Sequence, residues 1–287
     1  RLLASPAVRR RALDLGVRLE LVPGSGPAGR VTQQDLEAFV AAPPAGGSDR
    51  FARRDGVETI SVIGLRRRIA ERMSEAKRRI PHFAYIEEVD VTDLEALRVQ
   101  LNAAHPQQPR LTLLPFLARA LAKALPEYPQ MNALYDDEAG VVHRHAALHL
   151  GVATQTSNGL VVPVVRHAEG LDLWRAAAEI ARLADAARAG KATRDELSGS
   201  TITITSLGPR GGLATTPVIN RPEVAIIGPN RMVERPVVRA GAVVIRKMMN
   251  LSCSFDHRVV DGWDAAGFVL RLKELLESPA LLFVERP

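Results

Sequence analysis

The stretch FDHRVVDG, Phe255 to Gly262, holds the residues best suited to chemistry in this sequence. A histidine is followed four positions later by an aspartate, and then by a glycine. An unperturbed imidazole has a pKa of about 6.5, so His257 could act as a general base at neutral pH. Asp261 directly precedes a predicted helix, and an aspartate at such a position is usually only the N-cap of that helix. The stretch is therefore either a catalytic loop or a plain turn between a strand and a helix.

A strand and a helix must position this histidine. Polar and apolar residues alternate strictly from Met249 to Asp256, which predicts a half-buried strand with His257 at its end. A helix is predicted to begin near Gly262. Loops between a strand and a helix are where a rigid scaffold best presents a reactive side chain, and Asp256 and Arg258 surround His257 with charge.

Other catalytic schemes find little support. The sequence contains no G-x-S-x-G nucleophile elbow. His143, His145 and His149 lie close together, but no cysteine and no H-E-x-x-H spacing accompanies them, so no zinc or other metal site is predicted. Cys253 belongs to the apolar face of the predicted strand, which indicates a core residue rather than a thiol nucleophile.

Composition narrows the class of protein. The chain has 287 residues, 46% of them hydrophobic, and no apolar run approaches the roughly 18–20 residues needed to span a bilayer. A single cysteine excludes an internal disulfide and favours a reducing compartment, which is the cytoplasm for a bacterial protein or the mitochondrial matrix for a eukaryotic one. Because the sequence opens on Arg1, we expect it to be part of a longer chain.

The net charge of +6 is concentrated in one segment. Between Gly64 and Arg79 seven basic residues face two glutamates, and Leu65, Ile69 and Met73 recur every four positions. This pattern predicts an amphipathic helix with basic outer faces. Those faces are either solvated or contact a phosphate-bearing ligand or acidic partner. Nucleic acid is disfavoured, since only 4% of residues are aromatic and no nucleic-acid-reading motif is present.

A linker rich in proline, glycine and charge divides the chain into residues 1–42, a connection at 43–55, and residues 56–287. The first part predicts two helices, one beginning at Ser5-Pro6 and ending at Gly16, the other capped by Thr32. Between them, GSGPAGR matches G-x-G-x-x-G. No βαβ unit fits before the linker, so we assign these glycines to a tight loop with left-handed backbone and not to a nucleotide site.

The larger part alternates strand and helix patterns. Strands are predicted at PHFAYIEEVDV, HLGVATQT, LVVPVV, STITITS, EVAIIG and KMMNLSCSF, with helices between them and a closing helix at WDAAGFVLRLKELLES. This mixture predicts an α/β (α+β) sandwich in which helices cover a sheet.

The first part resembles the peripheral subunit-binding domain of 2-oxoacid dehydrogenase complexes. The resemblance is carried by SPAVRR, LGV, GSGPAGRV and DLEAFV, in that order and spacing. It implies that Arg9, Arg10 and Arg30 grip an acidic face of a partner enzyme, either the decarboxylase or the lipoamide dehydrogenase component. Leu13 departs from the pattern, because relatives often carry a basic residue there, which puts the strength or choice of partner in question.

The second part resembles the dihydrolipoamide acyltransferases, which share the H-x-x-x-D-G signature with chloramphenicol acetyltransferase. Besides SFDHRVVDG, the segments GLRRRIAERM, IPHFAYIEEVDVTDLEALR, GLVVPVV and TITITSLGPRGGLATTPVINRPEVAIIG occur in the family's order. The resemblance implies a chloramphenicol acetyltransferase-like fold and a homotrimer that builds a larger core, with 24 subunits favoured over 60. The apolar tail LLFVERP is a candidate for holding that core together. The lipoate would sit on a lipoyl domain not present in this segment.

The same resemblance assigns roles near the reaction centre. His257 would be the general base that takes the proton of the coenzyme A thiol. Thr205, where many relatives carry serine, would donate a hydrogen bond to the oxyanion, with Ser206 as the alternative. Asp261 would hold the loop by pairing with an arginine, for which Arg66 is the candidate.

Two further positions match those that the family uses for coenzyme A, namely Arg98 and Thr112. The segments IPHFAYIEEVDVTDLEALRVQLN and KMMNLSCSFDHRVVDG look most like the branched-chain members of the family, which carry isobutyryl and related groups. Acetyl and succinyl transfer stay open, because one methylene separates substrates by only about 1–3 kcal/mol. A structural core without catalysis, a basic nucleic-acid-binding protein and a stand-alone drug acetyltransferase are the competing interpretations.

Overall fold

The protein forms two compact units, Arg1–Ser61 and Val62–Pro287. A computed structural model describes residues 3–41, 55–157 and 159–284. Of the predicted linker at 43–55, only Asp55 falls within the described residues, and the last three residues of the LLFVERP tail lie outside them.

The first unit contains helices α1 (Pro6–Asp14) and α2 (Gln33–Ala41). The Ser5 hydroxyl accepts a hydrogen bond from the Val8 N–H, and Gly16 has a left-handed φ of 65° just beyond the end of α1. At α2 the Thr32 hydroxyl accepts from the Asp35 N–H at 3.2 Å, while Asp35 accepts from the Thr32 N–H at 2.8 Å. Both predicted beginnings and the predicted end at Gly16 are confirmed, and each beginning uses side-chain capping.

The loop glycines of the first unit serve close packing more than left-handed backbone. Within GSGPAGR only Gly29 among the glycines has a positive φ, of 75°. A Cβ at Gly24 would lie 2.3 Å from the Gly29 carbonyl oxygen, and one at Gly26 would lie 2.7 Å from that of Arg30. The prediction of a left-handed backbone was therefore wrong for Gly24 and Gly26, where a side chain has no room. The loop leads into α2 without a βαβ unit.

Five buried residues make up the core of the first unit, and they are Val8, Ala12, Val22, Val31 and Leu36. So small a core has little stability to spare. Hydrogen bonds to Asp35 stabilise the unit further, because the backbone N–H groups of Ser25 and Thr32 hold the pKa of its carboxyl far below the usual range.

The second unit combines five α-helices and ten strands in its described residues. The helices are α3 (Gly64–Arg79), α4 (Thr92–Ala104), α5 (Leu113–Ala124), α6 (Leu173–Arg188) and α7 (Gly262–Glu277). The strands are β1 (His82–Asp90), β2 (Ala133–Asp136), β3 (Val141–Arg144), β4 (Leu150–Thr156), β5 (Gly159–Val161), β6 (Val164–Val165), β7 (Ile202–Thr205), β8 (Ala225–Pro229), β9 (Val233–Arg239) and β10 (Ala242–Asp256).

Eight of these strands form one mixed sheet. Its main path runs β1-β10-β8-β7-β4-β5, while β6 pairs with β4 and β9 with β10. Strand β7 is parallel to β4 and β8, whereas β10 is antiparallel to β1, β8 and β9. Strands β2 and β3 form a separate hairpin. Helices α5, α6 and α7 cover the sheet, so the predicted α/β sandwich is confirmed.

Both faces of β10 are covered near its end. Phe255 is fully buried and its ring lies 6.3 Å from that of Phe268 in α7. The prediction of a half-buried strand was wrong here, because Ser252, Ser254 and Asp256 on the other face are also buried. The Thr215 N–H donates to the Ser252 hydroxyl at 3.1 Å, which shows that the segment after β7 covers this polar face.

No helix among the described residues is long and apolar enough to cross a membrane.

We predict that Gly24→Ala unfolds the first unit selectively. The new methyl group would overlap the Gly29 carbonyl oxygen, and a core of five residues cannot absorb the shift. Hydrogen exchange of residues 5–40, measured in the full chain, should become at least about tenfold faster. Gly56→Ala is the matched control, since a Cβ there meets nothing within 4 Å, and equal exchange in both variants would contradict the prediction.

Candidate active site

His257 lies directly after β10, beyond the last residue of that strand. Its backbone N–H donates to the Pro81 carbonyl at 3.2 Å, and its ring centroid lies 4.4 Å from that of Phe83 in β1. The antiparallel register of β1 and β10 brings these residues together, since His82 pairs with Asp256. The imidazole is exposed and supported on one side by an aromatic ring, as a base that meets an incoming substrate requires.

The turn after β10 is fixed by its own charged residues. The Arg258 Nη2 donates to the Asp256 carboxylate at 2.6 Å, and the Arg258 backbone N–H donates to the same carboxylate at 3.1 Å. The N–H groups of Val259 and Val260 both donate to the Asp256 carbonyl. Asp256 is itself buried, so the charged residues that the sequence places beside His257 form the frame of its turn.

Asp261 lies at the beginning of α7, where its carbonyl accepts from the Ala265 N–H at 3.0 Å. Its backbone has cap geometry, but its carboxylate makes no capping hydrogen bond. Within the described part of this single chain, no ion pair joins Asp261 to Arg66, which lies exposed on α3. The structure thus places Asp261 beside the turn and does not bring the predicted pair together.

Thr205 ends β7 and lines a cavity of about 200 Å³. No hydrogen bond of its hydroxyl is found among the described residues, whereas the neighbouring Ser206 hydroxyl accepts from the Gly208 N–H at 3.2 Å. The cavity wall continues through Leu207, Gly211, Thr215, Thr216, Pro217, Pro229 and Asn230. Of the two predicted hydroxyl donors, Thr205 is the one that faces this open space.

A buried polar network supports the Thr205 cavity. Ser252 donates to the Asn230 Oδ1 at 2.6 Å, and the Asn230 Nδ2 donates to the Thr215 hydroxyl at 3.4 Å. Buried polar groups that are paired in this way rigidify their surroundings. Apart from the alternation of serines along β10, no sequence pattern indicated this network.

The strand register separates Thr205 from His257 within one chain. Ile204 pairs with Ile227, and Ile227 pairs with Cys253, so Thr205 lies one step farther along, at the level of Ser252. His257 follows Ser252 by five residues, just beyond the end of β10. At about 3.3 Å per residue this is roughly 16 Å along the strands, with about 10 Å more across two strands. The two side chains of one chain therefore cannot reach the same small group.

Arg98 lines another cavity, of about 440 Å³, together with His105 and Arg110, whereas Thr112 is not among the described residues of its wall. The Arg98 Nε donates to Glu95 at 2.7 Å, and this hydrogen bond raises the pKa of the guanidinium. Arg98 also donates to the Leu111 carbonyl, while Thr112 is the exposed cap residue of α5.

Cys253 is fully buried, and burial raises the pKa of its thiol. A protonated, inaccessible thiol cannot act as a nucleophile, so its predicted place in the core is confirmed. The described residues also contain no group of three or more histidine, cysteine or acidic side chains that could hold a metal ion.

The three arginines predicted to grip a partner lie on the first unit. Arg9 and Arg10 are exposed on α1, and Arg30 is exposed after the loop that precedes α2. The Arg9 Nε donates to the Ala4 carbonyl at 3.3 Å, which orients that guanidinium along the start of the helix.

A buried carboxyl group belongs to the segment that leads into β8. Glu223 accepts hydrogen bonds through its Oε1 from the hydroxyls of Ser200 and Thr203 and from the Asn220 side chain. Its Oε2 has no hydrogen-bond partner among the described residues, and burial raises the pKa of the carboxyl to about 7. The next residue, Val224, accepts from the Asp256 N–H, so this segment supports the turn of His257.

Comparison with known proteins agrees with this fold and site. Residues 54–284 match the family of 2-oxoacid dehydrogenases acyltransferase (catalytic domain), and residues 2–37 match the e3 binding domain. The chain therefore belongs to the 2-oxoacid dehydrogenase acyltransferase family. It is an enzyme of the dihydrolipoamide acyltransferase class that carries a subunit-binding domain, and both sequence-based expectations are confirmed.

Individual relatives are more specific. The lipoamide acyltransferase component of a branched-chain alpha-keto acid dehydrogenase complex from Pseudomonas putida is 62% identical over 99% of this chain and 68% of its own length. A dihydrolipoamide acetyltransferase from Azotobacter vinelandii shares 37% identity with a TM-score of 0.77, over 84% of this chain and 100% of its own. The cubic core of a pyruvate dehydrogenase multienzyme complex gives the same values.

We predict that Glu223 makes stability fall as pH rises. The pKa of its carboxyl in the folded protein, about 7, exceeds the ordinary value of 4.5. The stability that the protonated carboxyl contributes is therefore fully present below pH 4.5 and is lost as the pH rises through 7. Glu223→Gln should therefore gain Tm relative to the wild type between pH 5 and pH 8, by the equivalent of roughly 3 kcal/mol at most. The control is Glu138→Gln, an exposed carboxyl, which should follow the wild type, and parallel curves for all three proteins would contradict the prediction.

Proposed function

We propose that this protein transfers branched-chain acyl groups, such as isobutyryl, between dihydrolipoamide and coenzyme A in the core of a branched-chain 2-oxoacid dehydrogenase complex. The observation that carries the acyl specificity is the 62% identity to a branched-chain relative, against 37% to an acetyl-transferring one. Both identities cover most of this chain, so the difference does not arise from one segment.

The chemistry begins with His257. A thiol with a pKa of about 8.5 is mostly protonated at neutral pH, so the coenzyme A thiol needs a base. His257 takes its proton, and the resulting thiolate attacks the thioester carbonyl carbon of S-acyl-dihydrolipoamide. A new carbon–sulfur bond forms, and the bond to the lipoyl sulfur then breaks. The departing thiolate recovers the proton from His257, which leaves the enzyme unchanged.

Thr205 is proposed to stabilise the oxyanion that forms during attack. Work on the Azotobacter enzyme concerns a serine, a histidine and an asparagine, in which the serine precedes the histidine by 52 positions and the asparagine follows it by four. Thr205, His257 and Asp261 have the same spacing here. A threonine hydroxyl can donate the same hydrogen bond, which is worth roughly 3 kcal/mol in an oxyanion hole.

Such a site needs two chains. Since Thr205 and His257 of one chain lie far apart, the base and the hydroxyl donor must come from neighbouring subunits if both act on one substrate. This supports the homotrimer that the sequence implied. A pairing of Asp261 with Arg66 stays part of the proposal, with the two side chains meeting across the same interface.

Substrate binding is proposed to use the basic cavity near α4. Arg98 and Arg110 in its wall fit the phosphates of coenzyme A. Thr112 is proposed to assist them from the beginning of α5. The second substrate is lipoate attached to a lipoyl domain. It would reach His257 from the exposed side of the imidazole, opposite the Phe83 ring.

The partners follow from the first unit and from the cubic relative. The exposed Arg9, Arg10 and Arg30 are proposed to bind the decarboxylase and lipoamide dehydrogenase components through an acidic face. Trimers of the second unit would build a 24-subunit core, like the cubic core of the related pyruvate dehydrogenase complex. The Pseudomonas relative favours a complex in the bacterial cytoplasm.

We predict that acyl exchange between free dihydrolipoamide and a panel of isobutyryl-, acetyl- and succinyl-CoA prefers isobutyryl-CoA. His257→Ala should lower the rate at least about 10³-fold because the thiol loses its base, and Thr205→Ala about 10²-fold because the oxyanion loses a donor. Acyl-dihydrolipoamide would be followed by mass spectrometry.

The control is Ser206→Ala, which should stay within about threefold of the wild type, because the Ser206 hydroxyl already caps a turn. A preference for acetyl-CoA would move the protein to a pyruvate dehydrogenase complex. No transfer from any donor by an assembled protein would indicate a structural core.

A further inference from the structure

A ladder of alternating charges joins the turn of His257 to three other parts of the second unit. The ladder contains three carboxylates and three guanidiniums. Its groups follow one another in the order Asp256, Arg258, Asp137, Arg221 and Glu75, and Arg79 bridges Asp137 and Glu75. They come from the end of β10, the β2–β3 hairpin, the segment before β8 and helix α3. None of these contacts is used by the chemistry proposed above.

Asp137 is the centre of this ladder. Its Oδ1 accepts from the Arg258 Nη1 at 2.5 Å, and its Oδ2 lies 3.2 Å from the Arg221 Nη2 and 3.8 Å from the Arg79 Nη1. Its side chain is only 8% exposed. A carboxylate so little hydrated depends on its arginine partners, and they depend on it in turn.

Arg258 is held from both ends as a result. Asp256 binds its Nε and Nη2, Asp137 binds its Nη1, and the ring of Tyr135 lies 4.6 Å below the guanidinium carbon. The hydrogen bond with Asp256 also raises the pKa of the guanidinium, so its charge is permanent. The Tyr135 N–H donates to the Pro222 carbonyl, which ties the hairpin to the segment before β8.

We propose that Asp137 is a positioning residue for His257 and acts through Arg258. This inference rests on the proposed role of His257 as the general base. Arg258 is the next residue along the chain, so fixing its side chain on the hairpin fixes the rotation of the turn and the direction of the imidazole. Displacing a catalytic group by about 1 Å can cost on the order of 10²-fold in rate.

A matched control separates positioning from stability. Asp90, at the other end of β1, is 2% exposed and pairs with Arg239 and Arg246 at 2.7 Å each. It is a carboxylate of the same kind, buried and bridged by arginines, but it lies far along the strand from His257. Asp90→Asn should lower Tm and leave kcat at saturating substrates within about twofold of the wild type.

The test is acyl exchange with isobutyryl-CoA and dihydrolipoamide, using the assembled full chain. Asp137→Asn should lower kcat about tenfold while both KM values stay within about twofold, because neither substrate is proposed to contact Asp137. Asp137→Glu can still reach Arg258 and should recover kcat to within about threefold. Adding Asp137→Asn to Arg258→Lys should cost no more than Arg258→Lys alone, since both changes break the same link.

The outcomes are distinct. A kcat of Asp137→Asn within twofold of an active wild type would overturn this inference alone. The inference also fails if Asp90→Asn lowers kcat equally, or if Asp137→Asn and Arg258→Lys are additive. A wild type without transfer would overturn the proposed function and this inference with it. If Asp137→Asn fails to assemble, Arg258→Lys decides by the same kcat criterion.

Discussion

The register of β10 between its neighbours is the constraint on which the catalytic arrangement depends. It sets His257 against β1 at one edge of the sheet and puts Thr205 at the level of Ser252, roughly 16 Å away along the strands. A base and an oxyanion donor so far apart can act on one thioester only if they belong to different chains. With the proposed roles of His257 and Thr205, the fold of a single subunit supplies two half sites.

Each half site is held by its own buried polar contacts. Thr205 opens onto a cavity whose wall is fixed by the Ser252, Asn230 and Thr215 hydrogen bonds. The turn of His257 is fixed by Asp256 and Arg258, and Arg258 is fixed in turn by Asp137. Ser252, Asn230 and Asp256 are buried, and all of these groups are paired, so they hold their geometry without the substrate. The proposed transfer between two bulky thiols requires preorganisation of this kind, because in that mechanism each thiol meets the same imidazole.

Local sequence patterns predicted the helices, strands and turns, but they did not predict the contacts between residues far apart in the chain. The caps at Ser5 and Thr32 and the loop of His257 follow from residue type and spacing, and the resemblance supplied their roles. Nothing in the sequence links Asp137 to Arg258, which are 121 positions apart and meet only because the β2–β3 hairpin packs beside the end of β10. The covered polar face of β10 was missed for the same reason, since the covering segment lies elsewhere in the chain.

The most direct test of a site built by two chains mixes subunits that are each defective in one half. His257→Ala and Thr205→Ala chains, differently tagged and co-expressed, would be purified through both tags and assayed for acyl exchange. Random assembly across a cyclic interface should restore about one quarter of the wild-type rate, because about one site in four pairs an intact His257 with an intact Thr205. Activity no greater than that of the two single variants, in assemblies that contain both chains, would contradict a site shared between subunits.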